Sequence, residues 1–179
     1  MKSTIDRLQP LEQESIIRGI PILGSKKGAW LLQKVQETKP KKILELGTAN
    51  GYSGCILGSE GAELTTIDVN AIIAEEARQN FKRYGINAQV VVGDAVEIIK
   101  KLAKEKSEYY DLIFIDFAKN KYIEALEPSI ELVKKGGLII ADNITMDGCQ
   151  DYQEAVLHHP QLKTELIPIK DGLSSSTKV

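Results

Sequence analysis

Two cysteines, two histidines, two methionines and one tryptophan are a thin supply for 179 residues. Cys55 and Cys149 are too few for a disulfide framework, which points to a reduced, cytoplasmic protein. The adjacent pair His158-His159 lacks the spacing of a zinc site. Long apolar runs are missing as well. Leu138–Ala141 is as long as any, far short of the ~20 residues of a membrane span. Met1–Pro10 contains no apolar segment of signal-peptide length. Repeats, low-complexity stretches and Gly/Ser/Pro linkers are absent, so residues 1–179 read as one domain with 1–22 as a short helical extension. Charge of one sign is not in excess either. The 23 Lys and Arg face 25 Asp and Glu, a formal net charge of −2, and only four of the basic residues are Arg. That balance argues against nucleic acid as an obligatory partner. A local basic face remains open, because Lys26, Lys27, Lys34, Lys39, Lys41 and Lys42 lie close together in sequence.

What the chain does contain is an alternation of short apolar runs and amphipathic stretches. The runs Lys42–Leu46, Glu63–Asp68, Ala88–Val92, Leu112–Asp116 and Leu138–Ala141 are rich in Ile, Leu and Val with little polar alternation, as in strands buried on both faces of a parallel sheet. Helical spacing recurs between them. Ala71–Tyr84 places Ile72, Ile73, Ala77 and Phe81 on one face, and Ala95–Lys104 and Tyr122–Leu132 carry similar stripes. Lys135-Gly136-Gly137 reads as a helix stop. Upstream, a helix over Leu11–Ile20 starts after Pro10, and Ser25 caps a helix over Lys26–Glu37 with Ala29, Leu32 and Val35 inward. A shorter helix covers Asp151–His158. Leu162–Pro168 and Leu173–Lys178 read as an antiparallel hairpin at the sheet edge. The sum is an α/β fold: a doubly wound, Rossmann-like seven-stranded sheet, mostly parallel with an antiparallel C-terminal hairpin and helices on both faces.

Ligands bind such sheets outside the carboxyl ends of the strands, where strand order reverses. Five successive strands end at or near an acid: Glu45, Asp68, Asp94, Asp116 and Asp142. Any one of these could be an ordinary strand-end or N-cap residue, but carboxylates gathered at one rim need cations or donors. The turn Gly47-x-x-x-Gly51-x-x-Gly54 follows a strand and precedes a helix, so backbone amides can approach a ligand. It has neither the dinucleotide spacing nor a Walker lysine, which lowers hydride and phosphoryl transfer in rank. Asp68, at the end of the next strand, suits a ribose diol. An adenosine-containing ligand without a pyrophosphate fits, and S-adenosylmethionine is the obvious one. Asp116, Asp142 and Asn143 offer hard oxygen donors suited to Mg²⁺ or Ca²⁺, with Mn²⁺ as another candidate. Lys119, three residues after a strand-end Asp, stands out from an ordinary surface lysine.

These motifs resemble those of the class I, S-adenosylmethionine-dependent O-methyltransferases of the catechol and caffeoyl-CoA O-methyltransferase type. The likeness runs from about Leu23 to the C-terminus. Its elements are Gly24–Gly28, Glu45–Ser53, Asp68, Phe114-Ile115-Asp116, Lys119, Ala141-Asp142-Asn143 and Asp171-Gly172-Leu173. The resemblance implies that Glu45, Gly47, Thr48, Ala49 and Gly51 cradle the methionine part of the cofactor. Ser53 would reach its carboxylate, with Leu23 beside it. Asp68 would hold the ribose and Val69 would lie under the adenine, with Gly93, Asp94 and Ala95 along its edge. Asp116, Asp142 and Asn143 would bind Mg²⁺, with Asp116 also near the cofactor. Lys119 would be the general base. A divalent cation that holds a hydroxyl acidifies it and aligns it for attack on the sulfonium methyl.

The departures fall in the acceptor half. Ala118 stands where the catechol enzymes carry a bulky aromatic wall, Ser174 where they carry an acid, and the segment ahead of Leu23 is short. The expected acceptor is therefore a small hydroxylated, phenolic or similar molecule in a permissive pocket. RNA methylated on a base hydroxyl is the alternative, favoured by the lysine group and disfavoured by the charge balance. A non-enzymatic adenosyl-ligand sensor is a third reading, which leaves the metal triad without purpose. No membrane partner is expected, and a homodimer is admitted.

Overall fold

The computed structural model describes residues 2–179. Its seven-stranded sheet has the order β3-β2-β1-β4-β5-β7-β6. The strands are β1 (Lys42–Leu46), β2 (Glu63–Asp68), β3 (Ala88–Val92), β4 (Tyr110–Ile115), β5 (Val133–Asp142), β6 (Leu162–Ile167) and β7 (Leu173–Lys178). Pairings among β1–β5 are parallel, and β7 inserts antiparallel between β5 and β6. The helices are α1 (Thr4–Ile17), α2 (Gly24–Thr38), α3 (Tyr52–Leu57), α4 (Ala71–Tyr84), α5 (Ala95–Glu105), α6 (Tyr122–Leu132) and α7 (Gln150–His158). One core joins α1–α4 to one sheet face through Leu8, Leu31, Val35, Ile56 and Phe81. The other joins α5–α7 to the opposite face through Ile99, Leu126, Ile130, Tyr152 and Val156. Both faces are therefore covered, and strand order reverses between β1 and β4, which opens a crevice at their carboxyl ends.

Several local expectations are corrected. Helix α1 begins before Pro10 and runs through it. Ser3 and Asp6 form a reciprocal capping box, with Asp6 N–H donating to Ser3 Oγ at 3.1 Å. The stripe Leu8, Leu11 and Ser15, buried against the core, offsets the hydrogen bond lost at the proline. Ser25 does not cap α2. It lies in the first turn, its N–H donates to Glu12 at 2.8 Å, and Ala29 points outward. On α4 the buried residues are Ala74, Ala77 and Phe81, and Ile72 is 84% exposed. β3 is an edge strand, so its apolar run is only half-buried. β5 begins at Val133, ahead of the glycine pair that reads as a stop. A Cβ on Gly137 would lie 2.8 Å from the Asp111 carbonyl, so glycine lets β5 bend against β4, where the register shifts. The final hairpin needs five connecting residues, 168–172, and includes Lys170 in the left-handed region. Among the described residues no helix is long and apolar enough to cross a membrane.

Candidate functional site

At the carboxyl ends of the central strands lies a cavity of about 640 Å³. Its wall brings together most of the residues singled out in the sequence: Leu23, Gly47, Thr48, Ala49, Ser53, Asp68, Val69, Asp94, Ala95, Asp116, Lys119, Asp142 and Asn143. Glu45, Gly51 and Gly93, expected at the cofactor, do not reach it. A Cβ on Gly51 would lie 3.0 Å from the Phe81 ring, so this glycine lets α3 and α4 close behind the turn. Glu45 is fully buried beneath the turn, accepting from Ser53 Oγ at 2.5 Å and Thr66 Oγ1 at 2.6 Å. Burial pushes its carboxyl up to about 8 against the pull of those two hydroxyls.

The glycine turn is held in a strained shape. Gly47, Ala49 and Gly51 have φ of 99°, 44° and 89°. At Gly47 a Cβ would fall 1.9 Å from the Asp116 carbonyl, so only glycine lets the ends of β1 and β4 approach this closely. Asp68 locks the turn. Its Oδ2 accepts from Thr48 N–H at 3.1 Å and Ala49 N–H at 2.9 Å, and Oδ1 accepts from Asn70 N–H at 2.9 Å. The same carboxylate faces the cavity, beside the exposed Val69. Asp94 caps α5 and pairs with Lys121 at 2.8 Å, a contact that holds the carboxyl below its usual range.

The opposite wall carries two lysine–carboxylate pairs. Lys119 Nζ donates to Asp116 Oδ1 at 2.6 Å and to the Tyr122 hydroxyl at 2.9 Å. Tyr122 is fully buried, stacked on Phe117 at 5.4 Å and edge-on to Tyr152 at 5.5 Å, which fixes where Lys119 points. Lys27 Nζ meets Asp142 Oδ1 at 2.5 Å, with both side chains almost wholly buried. Burial first, and then the Asp116 charge, raise the Asp142 carboxyl above its usual range, opposed by Lys27. Lys27, which sequence reading leaves among the lysines of a local basic face, is instead buried and lines the cavity. No sequence signal marks it; in the structure the neighbouring Gly28 packs inward, where a Cβ would lie 2.9 Å from Ile56 Cδ1. Asn143 holds a left-handed φ of 57°, a conformation Asn tolerates.

No three Cys, His, Asp or Glu side chains converge on one point among the described residues. A divalent cation would instead rest on two carboxylates and one amide. Asp116 and Asp142 each commit Oδ1 to a lysine, whereas Oδ2 of both and the Asn143 side-chain oxygen accept no hydrogen bond from the described residues. Three hard oxygens on one cavity wall fit Mg²⁺ chemistry. Ala118 also lines the cavity, as expected. Ser174 does not: it is fully buried in β7 opposite Ala141, with its hydroxyl unpartnered, so it opens no space for an acceptor. The six lysines close in sequence do not form one face. Lys27 is buried with Asp142, while Lys34 pairs with Glu37 and Lys42 with Glu63.

The family model described as O-methyltransferase matches residues 19–179. A catechol O-methyltransferase of Niastella koreensis is 34% identical over 137 residues, 73% of this chain and 62% of that protein. Catechol O-methyltransferase B of Danio rerio is 33% identical over 169 residues, 86% of this chain and 64% of that protein. The chain thus spans under two thirds of the length of both relatives. Among solved structures, an O-methyltransferase from Bacillus cereus in complex with SAH superposes with a TM-score of 0.86 at 23% identity, covering 100% of this chain and 92% of that one.

Proposed function

This chain belongs to the class I, S-adenosylmethionine-dependent O-methyltransferase family, and from that premise we propose that it transfers a methyl group from S-adenosylmethionine to a hydroxyl of a small phenolic or catechol-like acceptor, with Mg²⁺ or a similar divalent cation. One observation carries the reading: a single cavity joins the glycine turn and Asp68 on one wall to Asp116, Lys119, Asp142 and Asn143 on the other.

When bound, the cofactor supplies an electrophilic sulfonium methyl and the cation a Lewis acid for the acceptor oxygen. The chain's own residues do the rest. The backbone from Gly47 to Ala49 receives the methionine part, Ser53 lies at the same wall, and Asp68 presents its carboxylate to the ribose hydroxyls. Asp116, Asp142 and Asn143 would hold the cation through their free oxygens. Lys119, whose Nζ is steered by Asp116 and Tyr122, would be the base that takes the acceptor's hydroxyl proton. Transfer to an oxyanion cancels two charges, so the site needs chiefly to align the partners and exclude water.

A small acceptor is favoured over RNA because the basic face that RNA needs is dispersed, with Lys27 buried and Lys34 and Lys42 paired to glutamates. The test is calorimetric titration with S-adenosylmethionine, with and without Mg²⁺, alongside turnover in chelator. Chelation should abolish transfer and Mg²⁺ restore it, and Asp142→Ala should lose activity while keeping cofactor affinity. Full turnover in excess chelator would remove the metal from this account.

A further inference from the structure

Helix α1 lies outside the stretch matched by the family model, which begins at residue 19. Yet it reaches the glycine turn from behind. Ser15 is fully buried, and its Oγ donates to the Leu11 carbonyl at 2.6 Å. That bond commits the only hydroxyl proton, so the oxygen faces Asn50 as an acceptor, and Asn50 Nδ2 donates to it at 2.7 Å. Asn50 sits inside the turn, between left-handed Ala49 and Gly51, and is itself fully buried with Oδ1 unpartnered. The strained turn is held from outside at three points: by Asp68 of β2, by Asn80 of α4, whose Nδ2 donates to the Asn50 carbonyl at 2.9 Å, and by Ser15 of α1. A bidentate pair between Arg18 and Glu76, at 2.7 and 2.8 Å, ties the end of α1 to α4 beside the same turn.

We propose that α1 is a cofactor-positioning element, and that Ser15, acting through Asn50, holds the turn in the conformation that receives the methionine part of S-adenosylmethionine. This rests on the cofactor reading above. Ser15 touches no ligand, so its effect passes through Asn50. Without the hydroxyl, the buried Asn50 amide has no side-chain partner at either end, and the turn gains reason to relax.

The experiment is calorimetric titration of the full chain with S-adenosylhomocysteine, comparing wild type, Ser15→Ala, Asn50→Ala and the double variant, with Tm of each free protein. Ser15→Cys, nearly the same shape with a poorer acceptor, takes the place of Ser15→Ala if that variant is insoluble. Ser15→Ala should weaken binding about tenfold, the double variant should be no weaker than Asn50→Ala alone, and Ser15→Thr should recover most of the affinity. KM for the acceptor should not move. An unchanged Kd in folded Ser15→Ala or Ser15→Cys, with only Tm lowered, would show a purely structural serine and overturn the inference. Losses that add in the double variant would also overturn it, because Ser15 would not be acting through Asn50. Wild type that fails to bind would overturn the cofactor reading itself, a separate failure seen before any variant is compared.

Discussion

A lysine at 1% exposure is costly unless its charge is met, and Lys27 meets Asp142 at 2.5 Å. With Lys119 on Asp116, the wall holds two cations against two carboxylates. Lys27→Met removes a like charge next to the cation site and should tighten Mn²⁺ binding by about tenfold, read by electron paramagnetic resonance. It should also destabilise the free protein by about 3 kcal/mol, because Asp142 loses its partner. Lys119→Met should lower kcat by roughly 10²–10⁴ while sparing S-adenosylhomocysteine affinity. Glu45 makes a pH prediction. Its folded carboxyl titrates at about 8 against the ordinary 4.5, so the folded state holds a proton that the unfolded chain has lost between those values. Its stabilising share is complete below pH 4.5 and fades as pH rises through 8. Denaturant unfolding should show Glu45→Gln losing less stability than wild type between pH 7 and about pH 9.

The elements that position these side chains were legible where apolar spacing is unambiguous. β1, β2, α4 and α6 lie where their patterns place them. α1 did not, because Pro10 reads locally as a start while the tertiary contacts of Leu8, Leu11 and Ser15 decide otherwise. Ile72 failed because periodicity reports a face only to within a residue or so: the buried stripe of α4 is Ala74, Ala77 and Phe81, and Ile72 falls outside it. The glycine turn was legible as a turn, but not its supports, because Ser15, Asp68 and Asn80 converge from three elements distant in sequence. Gly47→Ala should cost about 2–4 kcal/mol, combining a clash with the Asp116 carbonyl and a left-handed φ. Asp68→Ala should lose roughly 1.5–3 kcal/mol of cofactor binding. It should also speed amide exchange at Thr48 and Ala49, whose N–H groups it now holds.

For the whole molecule, the sequence singled out residues that line one cavity, because the parallel strands β1–β5 send their carboxyl ends to one rim. It could not show that Lys27 crosses from α2 to β5, nor that Ser174 turns away from the cavity, since both depend on how helices and the late hairpin settle on the sheet. Ala118, Met146, Lys170 and Asn143 line the same cavity. The most direct measurement is transfer of labelled methyl from S-adenosylmethionine, with Mg²⁺ and again in excess chelator, to a panel of phenols and separately to undermodified total RNA. Label in a phenol that vanishes with chelator is the predicted result. Label confined to RNA, falling when Lys26, Lys41 and Lys42 are replaced by Ala, would contradict it.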